Sequence, residues 1–214
     1  INAGNMEWGA KMHDDLIDAV NWAVERGIAD PTRVAIFGGS YGGYAALAGL
    51  TFTPETFACA ISVVGPPDLV ALINSIPPYW KPQLSLFTTR VGNPFTEEGK
   101  EFLLSRSPIT YVDRIKRPLL VGQGANDPRV IEAETTRIVN VMQEKNIPVT
   151  YLLYPDEGHG FVRPENRLSF NAVADLFLAE FLGGRAEPVG DDFEGSSVTI
   201  PAGADAVSGL AEEI

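Results

Sequence analysis

Cysteine and histidine are both scarce in this chain of 214 residues. The only cysteine, Cys59, excludes an intramolecular disulfide, and the apolar run around it predicts a small buried side chain. The two histidines, His13 and His159, are too few to hold zinc without a cysteine cluster. Since no Gly-x-Gly-x-x-Gly turn opens a helix after a predicted strand, we expect neither a metal nor a dinucleotide cofactor.

Positive charge is sparse as well, because 16 Lys and Arg stand against 28 Asp and Glu, a formal net charge of −12. This balance excludes a basic surface for nucleic acid. No apolar run is long enough to cross a bilayer, so we expect no membrane partner. Seven of the acids follow Arg185, after which no Lys or Arg occurs. This composition predicts a catalytic domain over residues 1–185 and a flexible acidic tail over 186–214.

Continuously apolar runs alternate with amphipathic segments along the chain. The apolar runs predict four buried strands, over 33–37, 58–64, 118–122 and 149–154. Helical spacing predicts helices over 12–24, 132–145 and 165–182. Four prolines between residues 68 and 107 predict short helices and loops there. Strands that alternate with helices pair in parallel, so we expect an α/β fold with helices on both faces of a mostly parallel sheet.

A sharp turn separates the first predicted strand from a helix rich in small residues. It reads Gly-Gly-Ser-Tyr-Gly-Gly over 38–43 and contains Gly-x-Ser-x-Gly. Between a strand and a helix, this pattern is typical of a nucleophile elbow that lifts the Ser40 hydroxyl above the sheet edge. The turn is expected to leave no room for side chains at Gly38 and Gly42, and to direct the Tyr41 N–H at an oxyanion. A plain glycine-rich turn is the alternative.

A serine hydroxyl becomes an effective nucleophile only when a base takes its proton. His159 follows the fourth predicted strand, whereas His13 lies on a helix that precedes Ser40. Loops that follow parallel strands share one edge of the sheet, and Ser40 lies at that same edge. We therefore predict that His159 is the base.

The base needs a carboxylate that holds its ring in the correct tautomer. Asp127 follows the third predicted strand and falls on the same sheet edge. Asp156 and Glu157 are alternatives, but they are too close in sequence to His159 to reach its far nitrogen easily. The resulting order of Ser40, Asp127 and His159 is that of the α/β-hydrolases.

Three segments together resemble the prolyl oligopeptidase family of serine peptidases. They are GGSYGGY at 38–44, GANDPRV at 124–130 and DEGHGF at 156–161, and the resemblance runs over about 2–184. Acylaminoacyl-peptidases and dipeptidyl-peptidase-like bacterial members look closest. The resemblance implies an α/β-hydrolase fold and hydrolysis of short or N-acylated peptides through an acyl-enzyme on Ser40. It also implies that Tyr41 supplies an oxyanion-hole N–H and that Arg129 binds a substrate carbonyl, although a surface arginine is the alternative.

The chain departs from that family in its number of predicted strands, which is about half the number in a full hydrolase sheet. Family members carry earlier strands, with a loop that gives a second oxyanion donor, and an N-terminal β-propeller. The sequence begins with Ile1 rather than Met, so we expect an N-terminal truncation, a propeller in the full-length protein and an undetermined compartment. An uncovered strand edge favours association between copies. Two alternatives stay open, a carboxylesterase on the same triad and an inert fragment that lacks part of the oxyanion hole.

Overall fold

The computed structural model describes residues 2–212, and five of its segments form one sheet in the order β1-β2-β3-β4-β5. The strands are β1 (Ala35–Gly39), β2 (Cys59–Val63), β3 (Leu119–Gly124), β4 (Val149–Tyr154) and β5 (Thr199–Ala202). Strands β1 to β4 pair in parallel, and β5 pairs with β4 antiparallel. The predicted mostly parallel sheet is therefore present, with one added antiparallel strand.

Helices connect the parallel strands and pack on both faces of the sheet. The α-helices are α1 (Lys11–Glu25), α2 (Tyr41–Phe52), α3 (Leu69–Asn74), α4 (Leu84–Arg90), α5 (Glu97–Ser105), α6 (Glu132–Glu144) and α7 (Pro164–Leu182). Short 3-10 helices cover Asn2–Gly4, Pro78–Gln83, Pro108–Arg114, Ala204–Ala206 and Leu210–Glu212. Each strand and helix predicted from periodicity is present, with ends that differ by at most two residues.

Alternate residues of each buried strand supply two different cores. In β3, Leu119 and Val121 face the core built on α1, α2 and α6, whereas Leu120 faces the core built on α7. In β2, Ala60 joins the first core and Ile61 the second. Because both faces are covered, the strands need apolar residues at every position, which explains why their sequences do not alternate with polar residues.

The segment after Arg185 differs from the predicted flexible tail over the residues that the structure describes, 186–212. Strand β5 extends the sheet, and the Thr150 hydroxyl donates to the Gly203 carbonyl at 2.9 Å. Val207 and Leu210 are buried in the core beside α7. A few well-spaced apolar residues suffice to anchor the segment, while its carboxylates stay in water. Residues 213–214 lie outside the described range, and a domain division at 185 stays a prediction.

A third cluster of buried apolar side chains lies over the carboxyl edge of the sheet. It is formed by the short helices α3, α4 and α5 together with Tyr44 from α2. Side-chain caps define two of these helices: Asp68 accepts the N–H groups of Val70 and Ala71 on α3, and Thr96 accepts that of Gly99 on α5. The proline-containing segment, residues 68–107, therefore covers Ser40, the residue that follows β1.

None of the helices described between residues 2 and 212 combines the length and the apolar character needed to cross a membrane.

Strand β1 is the other edge of the sheet, and its Phe37 side chain is 54% exposed.

Candidate active site

Ser40 lies in a sharp corner between β1 and α2. Its backbone has φ 57° and ψ −116°, a conformation that costs a non-glycine residue free energy. Two backbone hydrogen bonds hold this corner: the Ser40 N–H donates to the Val63 carbonyl at 2.8 Å, and its own carbonyl accepts the Tyr44 N–H at 3.0 Å. The strained corner directs the Ser40 side chain out of the sheet edge.

The glycines around the corner have different roles from those that the sequence predicts. A Cβ atom at Gly38 would lie 2.4 Å from the carbonyl carbon of Gly42, so the predicted clash exists there. A Cβ atom at Gly42 would meet nothing within 4 Å, so the predicted clash at that position is wrong. Gly43 is the second constrained position, because its Cβ would lie 2.7 Å from the Cα atom of Gly65. Close contact between backbones, Gly38 with Gly42 and Gly43 with Gly65, decides which glycines are required.

The structure brings Ser40, His159 and Asp127 into one hydrogen-bonded chain. His159 Nε2 lies 2.8 Å from Ser40 Oγ, and His159 Nδ1 lies 2.8 Å from Asp127 Oδ2. The Asp127 side chain is fully buried, and that of His159 is 12% exposed. An ionised carboxylate only accepts hydrogen bonds, so Nδ1 carries the proton and Nε2 is free to accept from the serine.

Asp127 is oriented by its own loop. Its Oδ1 atom accepts the N–H groups of Arg129 at 2.8 Å and Val130 at 3.0 Å, which leaves Oδ2 for His159. The two backbone donors fix the plane of the carboxylate and compensate part of the cost of burying its charge.

The loops that carry Asp127 and His159 pack directly on each other. The Asn126 N–H donates to the Glu157 carbonyl at 2.9 Å, and the Asn126 side-chain amide donates to the Pro155 carbonyl at 2.8 Å. A Cβ atom at Gly124 would lie 2.2 Å from the carbonyl oxygen of Gly158. Glycine at 124 therefore permits the close approach of the two loops.

The alternative base does not reach this cluster. His13 is buried against α2, where its Nε2 lies 3.0 Å from Thr53 Oγ1 and its Nδ1 has no hydrogen-bond partner among residues 2–212. Burial lowers the pKa of His13, and the neighbouring Asp14 opposes that shift only in part. The side chains of Asp156 and Glu157 bind other partners and make no hydrogen bond with His159 among the described residues.

Tyr41 is the first residue of α2, where a helix leaves its N–H groups without intrahelical partners. The partial positive charge of the helix N-terminus adds to the attraction of such an N–H for an anion. The Tyr41 ring packs edge-on against Trp8, with centroids 4.6 Å apart. Burial raises the pKa of the Tyr41 phenol, with a further contribution from Asp15, so the ring stays neutral beside the serine.

A cavity of ≈ 90 Å³ opens beside Ser40 and His159, with aromatic walls formed by Trp8, Tyr41, Trp80 and Phe87. The sequence did not predict Trp8, Trp80 or Phe87 as site residues. Tryptophan is rare here, with three in the chain, so a tryptophan in the proline-punctuated segment was the one signal that could have pointed to this wall. A larger groove of ≈ 420 Å³ runs along α7 near residues 175 and 185 and contains none of the three hydrogen-bonded side chains.

Arg129 lines the same cavity. Its guanidinium carbon lies 4.7 Å from the centre of the Trp80 ring, and its Nε atom is buried without a hydrogen-bond partner among residues 2–212. Trp80 in turn stacks on Phe87, with centroids 5.5 Å apart. A buried donor without a hydrogen-bond partner costs free energy, and this one lies on a residue that lines the cavity beside Ser40.

The sequence model of the prolyl oligopeptidase family matches residues 1–185. The chain belongs to the prolyl oligopeptidase family. The predicted family is thereby confirmed, and the sheet with helices on both faces is the α/β-hydrolase fold. The order of Ser40, Asp127 and His159 along the chain is the one expected of that fold.

Relatives of this prolyl oligopeptidase family member are much longer than the chain itself. It is 61% identical over 213 residues to dipeptidyl aminopeptidase BIII of Pseudoxanthomonas mexicana, an alignment that covers 100% of this chain and 31% of the relative. It is 50% identical over 188 residues to dipeptidyl peptidase family member 6 of Caenorhabditis elegans, covering 87% and 25%. The chain therefore spans about a third or less of the length of these relatives.

A solved structure of a puromycin-hydrolyzing peptidase of Mycobacterium tuberculosis has the same architecture. It superposes with a TM-score of 0.79 at 32% sequence identity, over 87% of this chain and 28% of that chain.

Proposed function

We propose that this chain is the catalytic part of a serine peptidase that hydrolyses short or N-acylated peptides through an acyl-enzyme. One observation carries the proposal: two hydrogen bonds of 2.8 Å join Ser40 to His159 and His159 to Asp127, and Ser40 and His159 line the cavity. Family membership and the names of the relatives support a peptide substrate.

In the proposed mechanism, His159 Nε2 takes the proton of Ser40 as its Oγ attacks the carbonyl carbon of the scissile peptide. Asp127 stabilises the imidazolium that forms. The Tyr41 N–H donates to the developing oxyanion. His159 then gives the same proton to the departing amine, which leaves an acyl group on Ser40. A water molecule repeats the sequence, with His159 again as base, and releases the acid product.

The substrate would lie along the cavity that adjoins the serine. Its aromatic walls favour an apolar side chain next to the cleaved bond, because burial of such a side chain is favourable there. We propose that the Arg129 guanidinium donates to a backbone carbonyl of the substrate, an acceptor that its buried Nε lacks among residues 2–212.

A second oxyanion donor is not identified among residues 2–212. We propose that this donor comes from a segment outside this chain, since the relatives are about three times as long. We propose that the same part of the full-length protein contains a propeller that restricts substrate size. Loss of one oxyanion donor typically costs about 10²–10³-fold in rate. We therefore expect the isolated chain to be slower than the whole protein by a factor of that order.

A fluorophosphonate probe tests the proposed nucleophile, both in the 214-residue chain and in the protein at its full natural length. We expect labelling of the wild type and none of Ser40→Ala, with Ser208→Ala, an exposed serine, as the matched control. A folded protein that is not labelled in either form would overturn the proposal in favour of an inert module.

The choice between peptidase and esterase needs substrates. We expect turnover of dipeptidyl or acyl-alanyl nitroanilides, which contain an amide leaving group. Rapid hydrolysis of p-nitrophenyl esters with no turnover of any of these amides would identify a carboxylesterase instead.

A further inference from the structure

Glu157 is a buried carboxylate next to the proposed base, and the mechanism above gives it no task. Its side chain is 3% exposed. Its two oxygens accept the N–H groups of Val162 and Arg163, each at 2.8 Å. These bonds join the two ends of the short loop that carries His159, so the carboxylate closes that loop on itself.

The loop needs such a brace because glycines flank the histidine. Gly158 and Gly160 leave the backbone on both sides of His159 unusually free, and Gly160 has φ 114°. His159 lies at the tip of the loop. Movement at the ends of the loop therefore displaces the imidazole ring relative to Ser40. A misplacement of about 1 Å can cost about 10²-fold in rate.

Asn166 on α7 holds this closed loop from outside. It is fully buried, and its amide nitrogen donates to Glu157 Oε1 at 2.9 Å and to Asp156 Oδ1 at 3.0 Å. Its amide oxygen accepts the Ser197 N–H at 3.0 Å and the Ser196 hydroxyl at 3.2 Å. Both ends of the amide are satisfied, and these partners determine which end faces the loop.

The C-terminal segment reaches the same cluster through further contacts. The Ser197 hydroxyl donates to Asp156, and the Arg163 guanidinium bridges Asp156 and the Gly195 carbonyl. These hydrogen bonds, from Ser197 first and then Arg163, lower the pKa of Asp156 to about 2, so that it remains charged at neutral pH. Residues from beyond Arg185 therefore contact the loop of the proposed base through a buried amide and a charged carboxylate.

We propose that Ser196 and Ser197 of the C-terminal segment are positioning residues of the active site, acting through Asn166 and Glu157 on the loop that holds His159. The inference rests on the proposed function, since it assigns His159 as base. It gives the segment beyond Arg185 a catalytic consequence in addition to its packing against β4 and α7.

The test measures four quantities on the full chain: kcat and KM for a nitroanilide substrate, the rate constant of fluorophosphonate labelling, and the final stoichiometry of labelling. We expect Asn166→Leu, which removes the hydrogen bonds at similar volume, to lower kcat and the labelling rate by about 10- to 100-fold. KM should change little because Asn166 does not line the substrate cavity, and the final stoichiometry per folded protein should stay that of the wild type.

Milder variants test the C-terminal segment itself. The double variant Ser196→Ala and Ser197→Ala keeps the backbone donor to Asn166, so we expect a loss of about 3- to 10-fold in kcat. Two single variants, in which Ser196 is left unchanged, separate the role of the hydroxyl. Ser197→Thr retains a hydroxyl and should keep most of the wild-type rate, whereas Ser197→Ala should be slower. The exposed Ser208→Ala is the control in the same segment.

The outcomes separate this inference from the proposed function. A folded wild type that is labelled neither as this chain nor at its full natural length overturns the proposed function and this inference with it. A labelled wild type together with unchanged rates in the Ser196 and Ser197 variants overturns only the inference, whatever the rate of Asn166→Leu. A fall in rate that matches the fall in stoichiometry or in folded protein also overturns it, because the network would then serve stability alone.

Discussion

Replacement of Asp127 by Asn exchanges one oxygen for an NH2 group and tests the proposed triad with little change of shape. In the wild type, Oδ1 accepts the N–H groups of Arg129 and Val130, and Oδ2 accepts that of His159. The two backbone donors require the oxygen of the new amide at the Oδ1 position. The amide NH2 must then face His159 Nδ1 and donate to it.

The consequence is a change of tautomer. With Nδ1 as acceptor, the histidine proton resides on Nε2, which points at Ser40 Oγ and can no longer take its proton. The same exchange in a serine protease with this constellation costs about 10⁴-fold in kcat, equivalent to about 5 kcal/mol of transition-state stabilisation. We expect a loss of about that size here, with KM nearly unchanged because the cavity wall is untouched.

The assay compares kcat for a dipeptidyl nitroanilide and the rate of fluorophosphonate labelling in wild type and variant. Thermal unfolding is followed in parallel, since the retained backbone hydrogen bonds predict only a small shift in Tm. Asp113→Asn is the matched control, because Asp113 pairs with Lys145 at the surface. A folded Asp127→Asn protein that loses less than about tenfold in kcat would refute the assigned role of the carboxylate.

Three further predictions concern stability and substrate binding. Gly38→Ala should destabilise by about 1–3 kcal/mol, whereas Gly42→Ala should change the unfolding free energy little, as denaturant titration can measure. His13, whose folded pKa is lowered by burial, should reduce stability as pH falls below about 6.5, because the unfolded chain takes up the proton first. In His13→Gln the unfolding free energy should fall less steeply as pH decreases below about 6.5 than in wild type, with a difference in slope of at most about 1.4 kcal/mol per pH unit, as denaturant titrations at several pH values can measure. Trp80→Ala should raise KM for peptides by about 2- to 30-fold, because it removes an aromatic wall and the ring that holds Arg129; an unchanged KM would contradict the proposed part of this wall in substrate binding.

The sequence was most informative where a short segment contains its own structural reason. The corner at Ser40 is such a case, because a strand, a turn of glycines and a helix of small residues follow one another within a few positions. The carboxyl-edge rule then selected His159 over His13, since loops that follow parallel strands share an edge. In the structure a hydrogen bond joins His159 to Ser40, and a second one joins Asp127 to His159.

Prediction from sequence was poorest where distant segments meet. The composition beyond Arg185 resembles that of a flexible tail, yet Val207 and Leu210 are buried against the sheet. Gly42 matches the elbow pattern, but the backbone that approaches closely is that of Gly65 against Gly43. In both cases the deciding contact is with a residue that the local pattern does not contain.

The sequence by itself determined the four parallel strands with their covering helices, the strand-to-helix corner and the order of Ser40, Asp127 and His159. Hydrophobic periodicity and turn residues are local features of a sequence, so they can be recognised without coordinates. Only the tertiary structure decided that Trp8 and Trp80 share one cavity wall, and that the C-terminal segment contacts the loop of His159. Those contacts join residues that are far apart in the chain. They depend on how helices, strands and loops from distant segments pack together, and no short sequence pattern specifies that packing.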